Sequence, residues 1–224
     1  MKPFISLLSP LILLVAGAAV AGPPSPCNSS VPCGIVLVGT NGAGAPDPVG
    51  TFTVITRHLS NNPWSEGPVV FDFGGCPDVS ICSAQVTQGV LVTCEPGTRT
   101  VSAIPDPSGV VTLTLVGGVI HRSTPATTGC LQIFAGGVLL TDGICHQAVS
   151  VGALDESGGD GLGPEDLSLW LADFFSNGYL PRSDFDHPVL CVDNLSPSDF
   201  SRWMGSFFGG YVRGCGALAG TLCP

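Results

Sequence analysis

The chain has 224 residues, 44% of them apolar and only 11% charged, and 17 acids against seven basic residues give it a formal net charge of −10. So acidic a surface repels nucleic acid and anionic lipid, which sets both aside as partners. A chain of about 200 residues can bury a core of its own, so its cysteines reinforce a packed fold rather than substitute for one.

Met1-Lys2-Pro3 leads into an apolar run from Phe4 to Val20 that ends Ala19-Val20-Ala21, the order of a secretory signal peptide removed after residue 21. Ser6, Ser9 and Pro10 interrupt the run and it is short for a bilayer span, so no membrane span is expected after cleavage. All ten cysteines lie beyond residue 21, and an even number with no C-x-x-C favours disulfides over metal thiolates in an exported chain. The expected location is extracellular or on the cell surface.

Residues 22–48 form a Pro/Gly-rich segment with one possible first strand. Between Cys27 and Ser150 apolar residues alternate with period two or form short runs, Gly, Pro, Asn and Asp punctuate them about every ten residues, and the β domain is drawn over 49–151. Phe52, Val54 and Thr56 share one face of T-F-T-V-I-T-R, and Val111, Leu113 and Leu115 share one face of G-V-V-T-L-T-L-V. Pro68 to Phe73, Gly89 to Thr93 and Arg99 to Ile104 also fit strands, and Gly136-Gly137 suits a two-residue hairpin. A β-sandwich of seven or eight short strands, closing a core of its own, is the expected architecture. His58, His121 and His146 have no acid or cysteine at metal-ligand spacing, and no G-x-S-x-G occurs, so this half carries no visible chemistry. Cys76 and Cys82, separated only by P-D-V-S-I, are the first expected disulfide, and Cys27 with Cys33 the second.

The run F-T-V-I-T-R-H-L-S-N-N-P-W-S-E-G-P-V-V-F-D-F, then T-V-S-A-I-P-D-P-S-G-V-V-T-L-T-L and I-F-A-G-G-V-L-L, resembles the bacterial immunoglobulin-like domains of the invasin and intimin kind. The resemblance covers roughly residues 49–151 and rests mostly on turn chemistry. It implies a spacer or adhesion module on an exported bacterial protein, not an enzyme.

Beyond Val151 the chemistry changes, with ten acids against three arginines. P-E-D-L-S-L-W-L-A-D-F-F from Pro164 returns as P-S-D-F-S-R-W-M-G-S-F-F from Pro197. Leu167, Trp170, Leu171, Phe174 and Phe200, Trp203, Met204, Phe207 fall at i, i+3, i+4 and i+7, the stripe of an amphipathic helix with proline at its first position. A lone three-turn helix is marginal in water, so two copies burying their stripes together explain the duplication on stability alone.

The loop before the first copy, D-E-S-G-G-D-G-L-G-P-E-D, offers Asp155, Ser157, Asp160 and Asp166; the loop before the second offers Asp184, Asp186, Asp193 and Asp199. Clustered oxygens with glycine to turn the chain suit a hard cation such as calcium. The first loop is the nearer to that pattern; the second is four residues longer and contains Pro188 and Cys191. As plainer roles, Asp166 and Asp199 would favour a helix N-terminus, and the remaining acids would solubilise the loops. Cys191 would bridge to Cys215 or Cys223.

Loop-helix twice, with D-[LF]-S-x-W after each loop, resembles the type I dockerin pair, an EF-hand-like module of secreted proteins. That resemblance covers residues 152–213, with a cysteine-containing tail at 214–224, and implies calcium and a protein partner, cohesin-like or other, met by the helix pair. The fold class expected is therefore mainly β, an immunoglobulin-like sandwich followed by a small two-helix domain. The function expected is non-enzymatic spacing or adhesion with calcium-stabilised docking. The alternative is a purely structural surface or matrix protein without metal or partner, and a secreted hydrolase fits least.

Overall fold

The computed structural model of the chain describes residues 22–87, 89–95, 98–120, 129–158, 161–176, 179–186 and 194–223. Among the described residues it is mainly β with two α-helices. The strands are β1 (Gly34–Leu37), β2 (Thr51–Ile55), β3 (Val69–Asp72), β4 (Val79–Ile81), β5 (Leu91–Glu95), β6 (Thr98–Ala103), β7 (Val110–Thr114), β8 (Gly117–Val119), β9 (Gln132–Ala135), β10 (Val138–Leu139) and β11 (Ser150–Ala153). The helices are α1 (Pro164–Phe175) and α2 (Pro197–Phe208).

Five strands form an antiparallel sheet in the order β10-β9-β3-β6-β5, and β2 pairs antiparallel with β7. Alternation does what the sequence implies. Val69 and Phe71, Val101 and Ala103, and Ile133 and Ala135 turn one face of the large sheet inward, towards Phe52, Val54, Val111 and Leu113 of the β2–β7 pair. The rings of Phe52 and Phe71 meet edge to face across this core, 5.5 Å between centroids. Gly136 and Gly137 join β9 to β10 at φ of 52° and 82°, a left-handed pair that glycine adopts without strain.

Two further pairs close the body. β4 lies antiparallel to β8, and β1 lies parallel to β11 with Gly34 opposite Ser150 and Leu37 opposite Ala153. All four residues of β1 are buried because it has apolar layers on both sides. Ile35 and Leu37 enter the sheet-on-sheet core, while Val36 and Val38 enter a second core with Leu154, Leu162, Trp170, Phe185 and Trp203. The boundaries drawn from composition differ here. The edge at 151/152 falls inside β11, and residues 22–48 supply the strand shared by both cores.

Both helices start at the prolines that the repeat marked. Trp170 and Trp203 are buried as their stripes require, but Leu171 sits at the stripe's margin and is 38% exposed.

The disulfide pairing departs from the sequence reading at every point that can be compared. Cys76 bonds Cys130, Cys27 bonds Cys145, Cys82 bonds Cys215 and Cys94 bonds Cys223. Neither Cys76–Cys82 nor Cys27–Cys33 forms, and Cys215 and Cys223 are taken by Cys82 and Cys94, which leaves Cys191 neither of its expected partners. Cys33 is disulfide-bonded as well, and Cys191 itself lies outside the described residues.

Short loops lost because the chain between is extended or pinned. After Cys76 it straightens into β4, which carries Cys82 away. The buried Arg99 holds the turn behind, donating to the carbonyls of Phe73, Cys76 and Val79 at 2.9, 2.5 and 2.7 Å. The Cys27 turn is held against Cys145 because the neighbouring His146 Nε2 lies 3.0 and 2.9 Å from the carbonyls of Pro26 and Ser29. The tail adds to β4, with Cys223 N–H donating to Ile81 O at 2.9 Å and Ser83 N–H to Thr221 O at 2.8 Å. Proteolysis without reduction should therefore release peptides joined as 27–145, 76–130, 82–215 and 94–223, read by mass spectrometry. A peptide closed by 76–82 would contradict this arrangement.

Candidate metal centre in the helix pair

Each helix begins with an acid that closes back on the residue before its proline. Asp166 Oδ2 accepts from Gly163 N–H at 2.6 Å and Asp199 Oδ2 from Ser196 N–H at 2.7 Å. These bonds satisfy orphan amides at the helix start, as the plainer reading of both acids requires. Asp199 also reaches the other end of its loop. Its Oδ1 accepts from the amides of Phe185 and Asp186 at 2.7 and 2.8 Å, whereas Asp166 Oδ1 is buried with no hydrogen-bond partner among the described residues. At Asp199, cap and loop closure are one structure.

The two helices exchange contacts across the pair. Trp170 Nε1 donates to Ser183 O at 3.1 Å, the residue before Asp184, and Trp203 Nε1 donates to Leu154 O at 3.2 Å, the residue before Asp155. Between them Trp170 lies 5.6 Å from Phe200 and stacks on Phe174 at 5.1 Å.

The loops differ in what their acids face. In the first, Asp155 accepts from the amides of Ser157, Gly158 and Gly161 at 3.2, 3.1 and 2.9 Å, so three backbone donors occupy it. In the second, Asp184, Asp186 and Asp199 are all buried, and one carboxylate oxygen of each lies within 4.8 Å of the others. Tyr179 Oη donates to Asp184 Oδ2 at 2.9 Å, and the Ser196 and Ser198 hydroxyls donate to Asp186 Oδ2. Asp186 Oδ1 is buried with no hydrogen-bond partner among the described residues. Of the eight oxygen donors expected from the sequence, these three are gathered, while Asp155 is bonded by the Ser157 amide within its loop and Asp166 caps α1 at Gly163. Asp160 and Asp193 lie outside the described residues.

Three buried carboxylates and an orphan oxygen are unfavourable by themselves. Burial pushes the Asp199 carboxyl up and the charge of Asp186 adds to this, while the amides of Ser196, Asp186 and Phe185 pull it down. Burial pushes Asp166 up to about 6, with the charge of Asp155 acting in the same direction. A divalent cation that takes oxygen ligands would reverse this cost, and the donor set fits calcium better than a softer metal.

Sequence reasoning missed a second buried cluster beside this one. Arg182 forms a two-point ion pair with Asp173, Nε to Oδ2 and Nη2 to Oδ1, both 2.9 Å. Ser183 Oγ lies 2.5 Å from Asp173 Oδ2 and 2.9 Å from Glu156 Oε1. Burial foremost holds the Glu156 carboxyl well above its ordinary range. The available signal was the mismatch between A-D-F-F in the first helix and G-S-F-F in the second, where an acid stands opposite a serine.

Carboxyls raised in the folded state favour folding while protonated, and that contribution is lost as pH rises through the folded value. For Asp166 the window runs from 3.8 to about 6. Without divalent cations, the urea midpoint is expected to fall between pH 4 and pH 6. A midpoint that rises over this interval would show these acids already offset by positive partners.

No protein-family model, curated protein or solved structure matches the chain. What the site can do therefore rests on its own geometry.

Proposed function

We propose that the chain is a non-enzymatic exported protein, an immunoglobulin-like β body that spaces or presents, joined to a dockerin-like helix pair that binds calcium and docks a protein partner. The observation that carries the metal reading is the convergence of the buried Asp184, Asp186 and Asp199, with Asp186 Oδ1 lacking a hydrogen-bond partner among the described residues, in the loop-helix repeat where the sequence asked for ligands. Asp184, Asp186 and Asp199 would hold the ion, Asp199 doing so while it caps α2. The four disulfides between described residues suit an oxidising environment outside the cell, and among the described residues no helix is long and apolar enough to cross a membrane.

Docking draws support from Phe175 and Phe208, matched positions at the ends of the two helices, exposed at 72% and 75%. Large exposed aromatics at repeated positions serve contact better than solubility. The purely structural alternative is favoured by the shared strand β1 and the two disulfides that bind the tail to the β body, since both make the helix pair a lid on the second core. Calorimetric titration of the chelator-treated, oxidised chain with calcium chloride separates the readings. One bound ion per chain is expected; no heat and no change in fluorescence would leave the structural reading.

A further inference from the structure

We infer that the helix of the first repeat builds the cation site of the second, with Trp170 and Asp173 as positioning residues for the ligand Asp184. The inference rests on reading Asp184, Asp186 and Asp199 as a cation site. Asp184 follows directly on the 3-10 turn Pro181–Ser183, and that turn is gripped from α1 at successive points. Trp170 Nε1 donates to the Ser183 carbonyl at 3.1 Å, Asp173 takes Arg182 in a two-point pair at 2.9 Å, and the Ser183 hydroxyl lies 2.5 Å from Asp173 Oδ2. Trp170 and Asp173 are three residues apart, so one face of α1 supplies the whole grip. From the other side the turn rests on β11, where a Cβ added to Gly152 would lie 2.9 Å from Asp184 O and 3.4 Å from Arg182 O. Held between a strand and a helix, Asp184 has its backbone fixed before any ion arrives.

The matched helix lacks this grip. Trp203 Nε1 reaches Leu154 O, ahead of Asp155, but Ser206 stands where Asp173 stands in the first copy, and its hydroxyl turns back to Arg202 O at 3.1 Å. The fuller clamp thus falls on the loop whose acids converge, and the partial clamp on the loop whose acid is filled by backbone amides. Groups behind a ligand fix its orientation, and losing one commonly weakens metal binding by about 10–100-fold.

The two tryptophans give a paired test. Trp170→Phe and Trp203→Phe each keep an aromatic ring and each remove one buried N–H bond, so a merely structural role would affect both alike. Calcium affinity is measured by calorimetry on the full oxidised chain, with the melting temperature of the chelated protein beside it. Trp170→Phe is expected to weaken calcium binding about tenfold, and Trp203→Phe to leave it within about twofold. If wild type binds calcium and Trp170→Phe binds it equally well, or Trp203→Phe weakens it as much, the positioning role is overturned. If wild type binds no calcium, the cation site itself falls. Should Trp170→Phe fail to fold, Asp173→Asn keeps the side chain's size, removes its charge from Arg182 and is read by the same criterion.

Discussion

A chain stopped after Val151 is expected to miss the native state, eluting as aggregate and binding a hydrophobic dye strongly. Val36 of β1 and Val38 just after it are 1% and 0% exposed only because Leu154, Leu162, Trp170, Phe185 and Trp203 lie over them. Burying each such side chain is worth about 1.5–3 kcal/mol, and the layer together rivals the roughly 5–15 kcal/mol that holds a whole domain. The cut also removes Gly152 and Ala153, which face Val36 and Leu37, and leaves Cys82 and Cys94 without their partners Cys215 and Cys223. Composition points the other way, to a β half that closes alone. A soluble, dye-silent, β-rich product from residues 22–151 would favour composition.

Calcium is expected to raise the melting temperature of the full chain by about 5–10 °C at 100 times its dissociation constant. Binding to the folded state alone contributes about 2.7 kcal/mol at that ratio, and a chain of this size gains about 2–4 °C per kcal/mol. Because β1 belongs to both cores, the shift should appear as one transition moved upwards, with no separate melting of the helix pair. Asp186→Asn tests the site through opposite signs. Without calcium it is expected to melt higher than wild type, since one of three crowded buried charges is gone and Asn can still accept from Ser196 and Ser198. With calcium it is expected to move little. A variant that still gains the full shift would place the ion elsewhere.

Much of the local structure was legible because it is set by period and turn chemistry. The inward faces of β2 and β7, the Gly136-Gly137 hairpin and the starts of α1 and α2 follow from alternation, left-handed glycine and proline at the first helical turn. The unalternating run Gly34 to Val38 also held a signal, since a strand apolar on both faces needs a layer on each side. What could not be read was pairing over distance. Disulfide partners 118, 133 and 129 residues apart are selected by which strands lie together, and nothing in cysteine spacing encodes that. The site was half legible. The repeat pointed to both loops and ranked the first above the second, but the backbone amides of Ser157, Gly158 and Gly161 settle Asp155 without an ion, and only the tertiary fold brings Asp184 and Asp186 to Asp199.

The pairing of β1 with β11, and of Cys82 and Cys94 with the tail, also governs when this protein can fold. During synthesis a nascent chain that already holds β1 to β10 still lacks the strand that covers Ile35 and Leu37's parallel edge, and the last two crosslinks wait for Cys215 and Cys223. Contacts so remote in sequence slow folding, because the intervening chain must be ordered before they are rewarded. A polypeptide of this topology completes neither core until β11 and the residues from Leu154 to Trp203 are present, and completes its crosslinks only once Cys215 and Cys223 are.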